Sequence, residues 1–184
     1  MIQHPQRIPF RDLDTLAPED RDYAERGRVR GEILNLFKVL MNHPALARRW
    51  GGFANHILHK QTLPPREREM LILRIGWLNQ ARYEWEQHVR IAKAAGLTAE
   101  EIDRIAQGPG AGWNPVDAAL LQAVDDLFTH SVVAPERWAV LTAHFSTEQV
   151  MDLVFTIGQY NLVSWALNSF GVPLDDFLPE AGKA

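Results

Sequence analysis

The sequence predicts an all-α fold, and three observations carry that prediction. Prolines and glycines punctuate the chain at helical intervals, at His43-Pro44, Pro64-Pro65, Gly96, the GPGAG stretch at 108–112, Asn114-Pro115, Ala134-Pro135 and Gly171. Helix-start signatures follow several of these breaks. The β-branched residues lie within helical patterns and not in alternating runs, so strand signals are weak. The punctuation delimits about seven helices.

The elements follow in order. Residues 1–27 are rich in Pro, Asp and Arg without helical periodicity, which predicts an extended arm on the surface or on a neighbouring subunit. The folded body, residues 28–184, starts near Arg28. Helical segments run from there to His59 and from Pro64 to Asn79. The latter contains MLILRIGWL, apolar nearly all round, and so belongs in the middle of the core. A further helix covers Ala81 to Gly96. Thr98 with Glu101 forms a capping-box pattern, as does Ser146 with Gln149, and Asn114 precedes a proline suited to the first helical position.

Composition narrows what such a fold does. With 184 residues, 46% of them hydrophobic, the chain supports one continuous core. The formal charge of −4, with Lys and Arg scattered among acids, argues against a nucleic-acid partner. The N-terminus alternates charge and proline where a signal peptide needs an apolar run, and no segment is suited to span a bilayer, so a cytoplasmic chain without a membrane partner is expected. The chain has no cysteine, which removes disulfides, Cys-ligated metal and thiol nucleophiles together.

The stretch ARYEWEQHVRIAKAAG, from Ala81 to Gly96, carries the chemistry. At about 100° per residue, Ala81, Glu84, Trp85, His88, Ile91, Ala92 and Ala95 share one face, and Arg82, Glu86, Arg90 and Lys93 the other. Glu84 and His88, four residues apart, therefore meet on the apolar side, where leaving either unpaired costs several kcal/mol. Paired, they form a titratable couple suited to proton transfer; the alternative is a buried Glu–His hydrogen bond that only fixes helix packing. Glu69 adjoins the apolar run of the preceding helix and should face whatever packs there, or else is an acid favoured by the helix dipole.

These residues carry a family resemblance. PREREMLILRIGWLNQARYEWEQHVRIAKAAGLTAEEI resembles the core motif of the carboxymuconolactone decarboxylase and alkylhydroperoxidase-D-like (AhpD-like) superfamily, most closely over about residues 64 to 105 and with weaker motifs from about 28 to 172. The resemblance implies an AhpD-like helical bundle around a central helical hairpin, and a homo-oligomer built from dimers or trimers. It matches His88 to the family histidine and Glu69 to the upstream acid. The two cysteines of the peroxidase branch fall on Ala81 and Glu84, so the resemblance is to the cysteine-free, decarboxylase-like branch. The N-terminal arm and the YEW sequence mark a relative of the decarboxylase and not that enzyme itself.

Other constellations are weaker. His56 and His59 are three apart on a helix and could clamp a metal, but no third ligand is evident, and neither a metal nor another cofactor is expected. Gln159, Tyr160, Asn161, Ser164, Trp165 and Asn168 make the last long helix unusually polar and aromatic; Tyr160 and Asn161 are candidate substrate contacts, and Trp85 a candidate apolar wall, with helix–helix contacts as the alternative. The expected activity is a cofactor-independent lyase or isomerase acting on a small organic acid or lactone, with His88, Glu84 and Glu69 moving and tuning a proton. Against it stand a peroxidase-related role, which lacks its thiol, and a non-catalytic binding oligomer.

Overall fold

A computed structural model describes residues 1–178. Among them are nine α-helices: α1 (Pro18–Glu25), α2 (Asn35–Leu40), α3 (Pro44–His59), α4 (Pro65–Leu78), α5 (Arg82–Ala94), α6 (Ala99–Gln107), α7 (Pro115–His130), α8 (Pro135–His144) and α9 (Thr147–Phe170). None of them is long and apolar enough to cross a membrane.

α4 is the axis of the bundle, in contact with α5, α6, α7 and α9. Its residues Glu69 to Gly76 are all buried. One side packs on Ile57, Leu120, Val124, Leu153 and Ile157, and the other on Trp85, Leu97, Ile102 and Ile105. Arg74 interrupts the apolar run because it has a full set of acceptors. It forms a bidentate pair with Asp125 of α7 and donates to the carbonyls of Ile105 and Ala106 at the end of α6, where the helix dipole favours a cation. α4 and α5 form the central hairpin, joined by a tight turn in which Gln80 takes a positive φ of 54°.

The three predicted caps are formed. Thr98/Glu101 and Ser146/Gln149 are reciprocal capping boxes, and the Asn114 side chain accepts from the amides of Val116 and Asp117. Asn114→Ala should therefore lower stability by about 1 kcal/mol, read as a shift in the urea midpoint without a change in slope. A shift below a few tenths of that value would show that the cap contributes little.

The arm departs from the expectation of a wholly extended segment. A single 3₁₀ turn at Leu13–Thr15 precedes α1, which starts on Pro18 with Glu19 and Asp20 in its first turn, and buries Ala24 against Met41 and Ala47. Eight residues are too few to show helical periodicity; the tertiary contact decides. The first residues are extended and lie on the chain's own body: Ile2 bridges to Ala81, and Arg7 N–H donates to the Phe170 carbonyl. Gly171, in the left-handed region at φ 65°, ends α9, and a Cβ there would collide with the Pro5 carbonyl. A two-residue hairpin, β1 (Arg28–Val29) and β2 (Glu32–Ile33), replaces the start of the expected helix. Its turn residues Arg30 and Gly31 both have positive φ, as a type I′ turn requires.

Candidate functional site

Each acid and the histidine predicted for the site is nine-tenths buried or more: Glu69 on α4, Glu84 and His88 on α5. The hairpin brings Glu69 opposite His88, and Glu69 Oε2 lies 2.7 Å from His88 Nδ1. The other carboxylate oxygen, Oε1, accepts from Arg68 Nε at 2.9 Å. The ring is thus held from its Nδ1 side by a carboxylate that is itself fixed. This differs from the expected pairing, in which Glu84 was the partner. Glu84 Oε1 lies 3.1 Å from the opposite ring nitrogen, Nε2, an ion-pair distance without hydrogen-bond directionality, and that oxygen has no hydrogen bond at all.

The three groups polarise one another. Burial pushes the Glu69 carboxyl up, but the facing His88 and Arg68 outweigh it and hold Glu69 below the ordinary glutamate range. Burial disfavours the His88 imidazolium, yet the two flanking carboxylates prevail and raise its pKa. For Glu84 burial dominates, reinforced by Glu69 and opposed by His88, and its carboxyl is pushed up to about 7. Glu69 stays ionised and orients the ring, which leaves Nε2 and Glu84 as the two groups whose raised pKa values suit them to exchange a proton.

The Glu84 and His88 side chains open onto a cleft of about 600 Å³ between α3, α5, α9 and the region from Tyr23 to Phe37. Tyr160 stands edge-on to the His88 ring, with centroids 4.9 Å apart. Burial, then Glu84 and Glu69, push its phenol pKa well above the ordinary value, so it remains a hydrogen-bond donor. Gln159 also lines the cleft and its Oε1 is buried without a partner.

Two predicted contacts lie elsewhere. Trp85 is about 60° round the α5 helix from His88, and packs on Trp77 at 5.1 Å in the cluster beneath α6. Asn161 accepts from Asn79 Nδ2 at 2.8 Å, tying α9 to the end of α4. His56 lies 3.5 Å from Asp152, whereas His59 lines the cleft.

Several contributors have no signature in the sequence. Arg68 reads as an ordinary first-turn cation. Tyr83 and Gln87, on a flank of α5 wider than the predicted apolar face, both donate to the buried Asp175, at 2.6 and 2.7 Å. Asp175 Oδ1 also accepts from the amide of Asn35, so the segment after α9 clamps α5 to the start of α2. Arg26, Arg48 and Arg90 surround the cleft and come from three separate segments.

Comparison with known proteins agrees with this architecture. Residues 44–126 match the model of the Carboxymuconolactone decarboxylase family, a span that contains Glu69, Glu84 and His88. The alkylhydroperoxidase AhpD core, an uncharacterised peroxidase-related protein from Ralstonia eutropha JMP134, superposes with a TM-score of 0.82 at 23% identity, covering 94% of each chain. A peroxidase-related protein from Silicibacter sp. TM1040 gives 0.79 at 14% identity over 95% of each chain. The debrominase Bmp8, solved as a cysteine-to-alanine variant with 2,3,4-tribromopyrrole, gives 0.73 at 15% identity, covering 92% of this chain and 91% of its own. No curated protein matches the sequence.

Proposed function

We propose that this chain, which belongs to the carboxymuconolactone decarboxylase and AhpD-like superfamily, is a cofactor-independent lyase or isomerase that moves a proton on a small organic acid or lactone. The observation that carries this reading is the asymmetry of the acid–histidine–acid set. Glu69 is fully hydrogen-bonded and locks Nδ1, whereas Glu84 and His88 both line the cleft and Glu84 Oε1, 3.1 Å from Nε2, is not hydrogen-bonded to it. A packing device would satisfy both carboxylates. Here one is left buried without a hydrogen bond and with its pKa pushed up to about 7, the condition for a general acid or base.

In a decarboxylation assisted by a conjugated acceptor, carbon dioxide leaves and the electron pair is delocalised into a dienolate. His88 Nε2–H or Glu84 then protonates a chosen carbon, and the Tyr160 phenol donates to the developing oxyanion. In an isomerisation the same couple removes one carbon-bound proton and returns it to another. The arginines about the cleft favour an anionic substrate. The relation to AhpD proteins does not extend to a thiol peroxidase mechanism: no residue of this chain can form a sulfenic acid. The reading is tested by NMR detection of solvent deuterium entering carbon positions of a panel of unsaturated and 2-oxo acids. Exchange above background is expected for at least one acid, and its absence across the panel counts against proton transfer.

The proposal includes a second copy of this chain as partner, docked on α9. Outward positions Met151, Phe155, Gly158, Leu162, Trp165 and Ser169 alternate in steps of four and three and carry no charge, and the four large side chains are at least half exposed. An exposed apolar stripe of this length on a helix whose opposite face is already packed marks a surface that another chain covers. The stripe is nearly symmetric about Gly158, where an added Cβ would meet nothing, so two antiparallel copies can approach closely with Met151 against the partner's Trp165. Phe53 of α3, edge-on to Phe155 at 6.0 Å, widens the patch. Each α9, 24 residues and so about 36 Å long and ~10 Å wide, offers roughly 360 Å² to its partner. The patch reaches the ~800 Å² per partner of a standard interface only by extending onto α3 around Phe53. Light scattering should show at least two chains for the wild type and a single 20.9 kDa chain for Phe155→Glu/Leu162→Glu. A monomeric wild type, or an unchanged mass in the variant, removes this interface.

A further inference from the structure

The cleft has a chemical polarity that extends beyond the proton-transfer couple. At its inner end two acceptor oxygens, Glu84 Oε1 and Gln159 Oε1, are buried without a hydrogen bond, and both residues are only 4% exposed. Buried acceptors without donors are rare in folded proteins because each forfeits its hydration, so a pair lining one cavity indicates that the donor arrives from the cavity. Gln159 has no part in orienting His88. Its helix neighbour Thr156 donates to Gln61 instead, and the Gln159 oxygen has no partner within the fold.

The walls between are apolar or aromatic: Leu36, Phe37, Trp50, Leu58, Ile91 and Val163. On its exposed side the charge changes sign. Arg26, Arg48, His59 and Arg90 are the solvent-exposed cationic or basic residues of the lining, and among the described residues Glu84 is the only acid there. Arg48 is ion-paired with Asp20, and Arg26 lies over the Tyr23 ring at 5.1 Å, which holds both in place.

We infer that the cleft binds an unsaturated or aromatic carboxylate that carries a hydroxyl at the end remote from the carboxylate, the hydroxyl donating to Gln159 and Glu84 and the carboxylate meeting the outer arginines. A slender apolar body spans the two. The inference rests on the proton-transfer reading only in sharing its cleft, and it adds that the hydroxyl-bearing end, not the carboxylate, lies beside His88 and Glu84.

Isothermal titration calorimetry of the full chain with three probes separates the two ends: 4-hydroxycinnamate, cinnamate and 4-hydroxycinnamyl alcohol. The hydroxy acid is expected to bind at least about tenfold tighter than either of the others, the usual scale for satisfying a buried acceptor or pairing a charge. Gln159→Leu should reduce the advantage of 4-hydroxycinnamate over cinnamate to about threefold or less while leaving cinnamate within about twofold; Gln159→Met serves if the leucine variant is poorly folded. Arg26→Gln should weaken both carboxylates and leave the alcohol unchanged. Equal affinity for 4-hydroxycinnamate and cinnamate, an undiminished preference in the Gln159 variants, or no binding of any probe overturns the inference. Should that happen while His88-dependent deuterium exchange persists, the hydroxyl assignment alone is lost. Hydroxyl-dependent binding with no exchange into any acid retains this site and removes the proton-transfer reading.

Discussion

His88→Gln is expected to preserve fold and oligomer while lowering solvent exchange or turnover by about 10² to 10⁴, the range for removing a general acid or base. The expectation follows from how the ring is held. Nδ1 is occupied by Glu69 at 2.7 Å, so only Nε2 can exchange a proton with the cleft. Glutamine can retain one hydrogen bond toward Glu69 but supplies no titratable nitrogen. The variant must be shown folded by circular dichroism and thermal unfolding, because it also deprives the fully buried Glu69 of its facing cation, leaving Arg68 as its ion-pair partner. Near-normal activity in a folded variant sinks the mechanism. So does activity that vanishes on chelation and returns with added metal.

Glu84→Gln is expected to make the protein more stable than the wild type above neutral pH and to leave the two similar near about pH 4. Glu84 has its folded pKa raised to about 7 from the ordinary 4.5 of a glutamate, chiefly by burial. Its contribution is therefore fully present below the unfolded value and lost as pH rises through the folded one, since the unfolded chain ionises first. The loss is of the order of 3 kcal/mol at most across that window, because the three groups share their protons. His88, also raised, loses its contribution in the same direction as pH rises. Glu69 is lowered, so its contribution is present above the ordinary glutamate range and lost on acidification through its folded value. Melting temperatures of the two proteins from about pH 4 to about pH 8 should diverge by several degrees in favour of the variant. A constant difference, or divergence in the opposite sense, would falsify the assignment of a raised pKa to Glu84.

Helices, caps and the central hairpin were legible because their determinants are local. A capping box needs two residues three apart, as at Thr98/Glu101, and the continuous apolar run of α4 can only sit in a core. The spacing of Glu84 and His88 on one helix was legible for the same reason, as was the burial of both. Glu69 was legible as the acid adjoining the apolar run of α4, and the family resemblance added its match to the upstream acid.

What the chain order cannot express is which of two available partners a side chain takes. Glu84 is the nearer in sequence to His88, but the hairpin puts Glu69 on the hydrogen-bonding nitrogen, and that exchange of roles leaves Glu84 as the unpaired, poised acid. Trp85 and Asn161 illustrate the same limit: one residue's rotation about a helix, about 60° to 100°, decides between the cleft and a neighbouring helix. The cleft itself, with Arg26 and Arg48 brought to α5 and α9 from distant segments, exists only once the region before α3 has packed. By itself the sequence determined an all-α fold, its core axis and the buried titratable residues of the candidate site, because periodicity, caps and residue type are local properties. Tertiary structure alone decided which carboxylate anchors the histidine and which faces the cleft, because burial and hydrogen-bond direction depend on the helices packed around them.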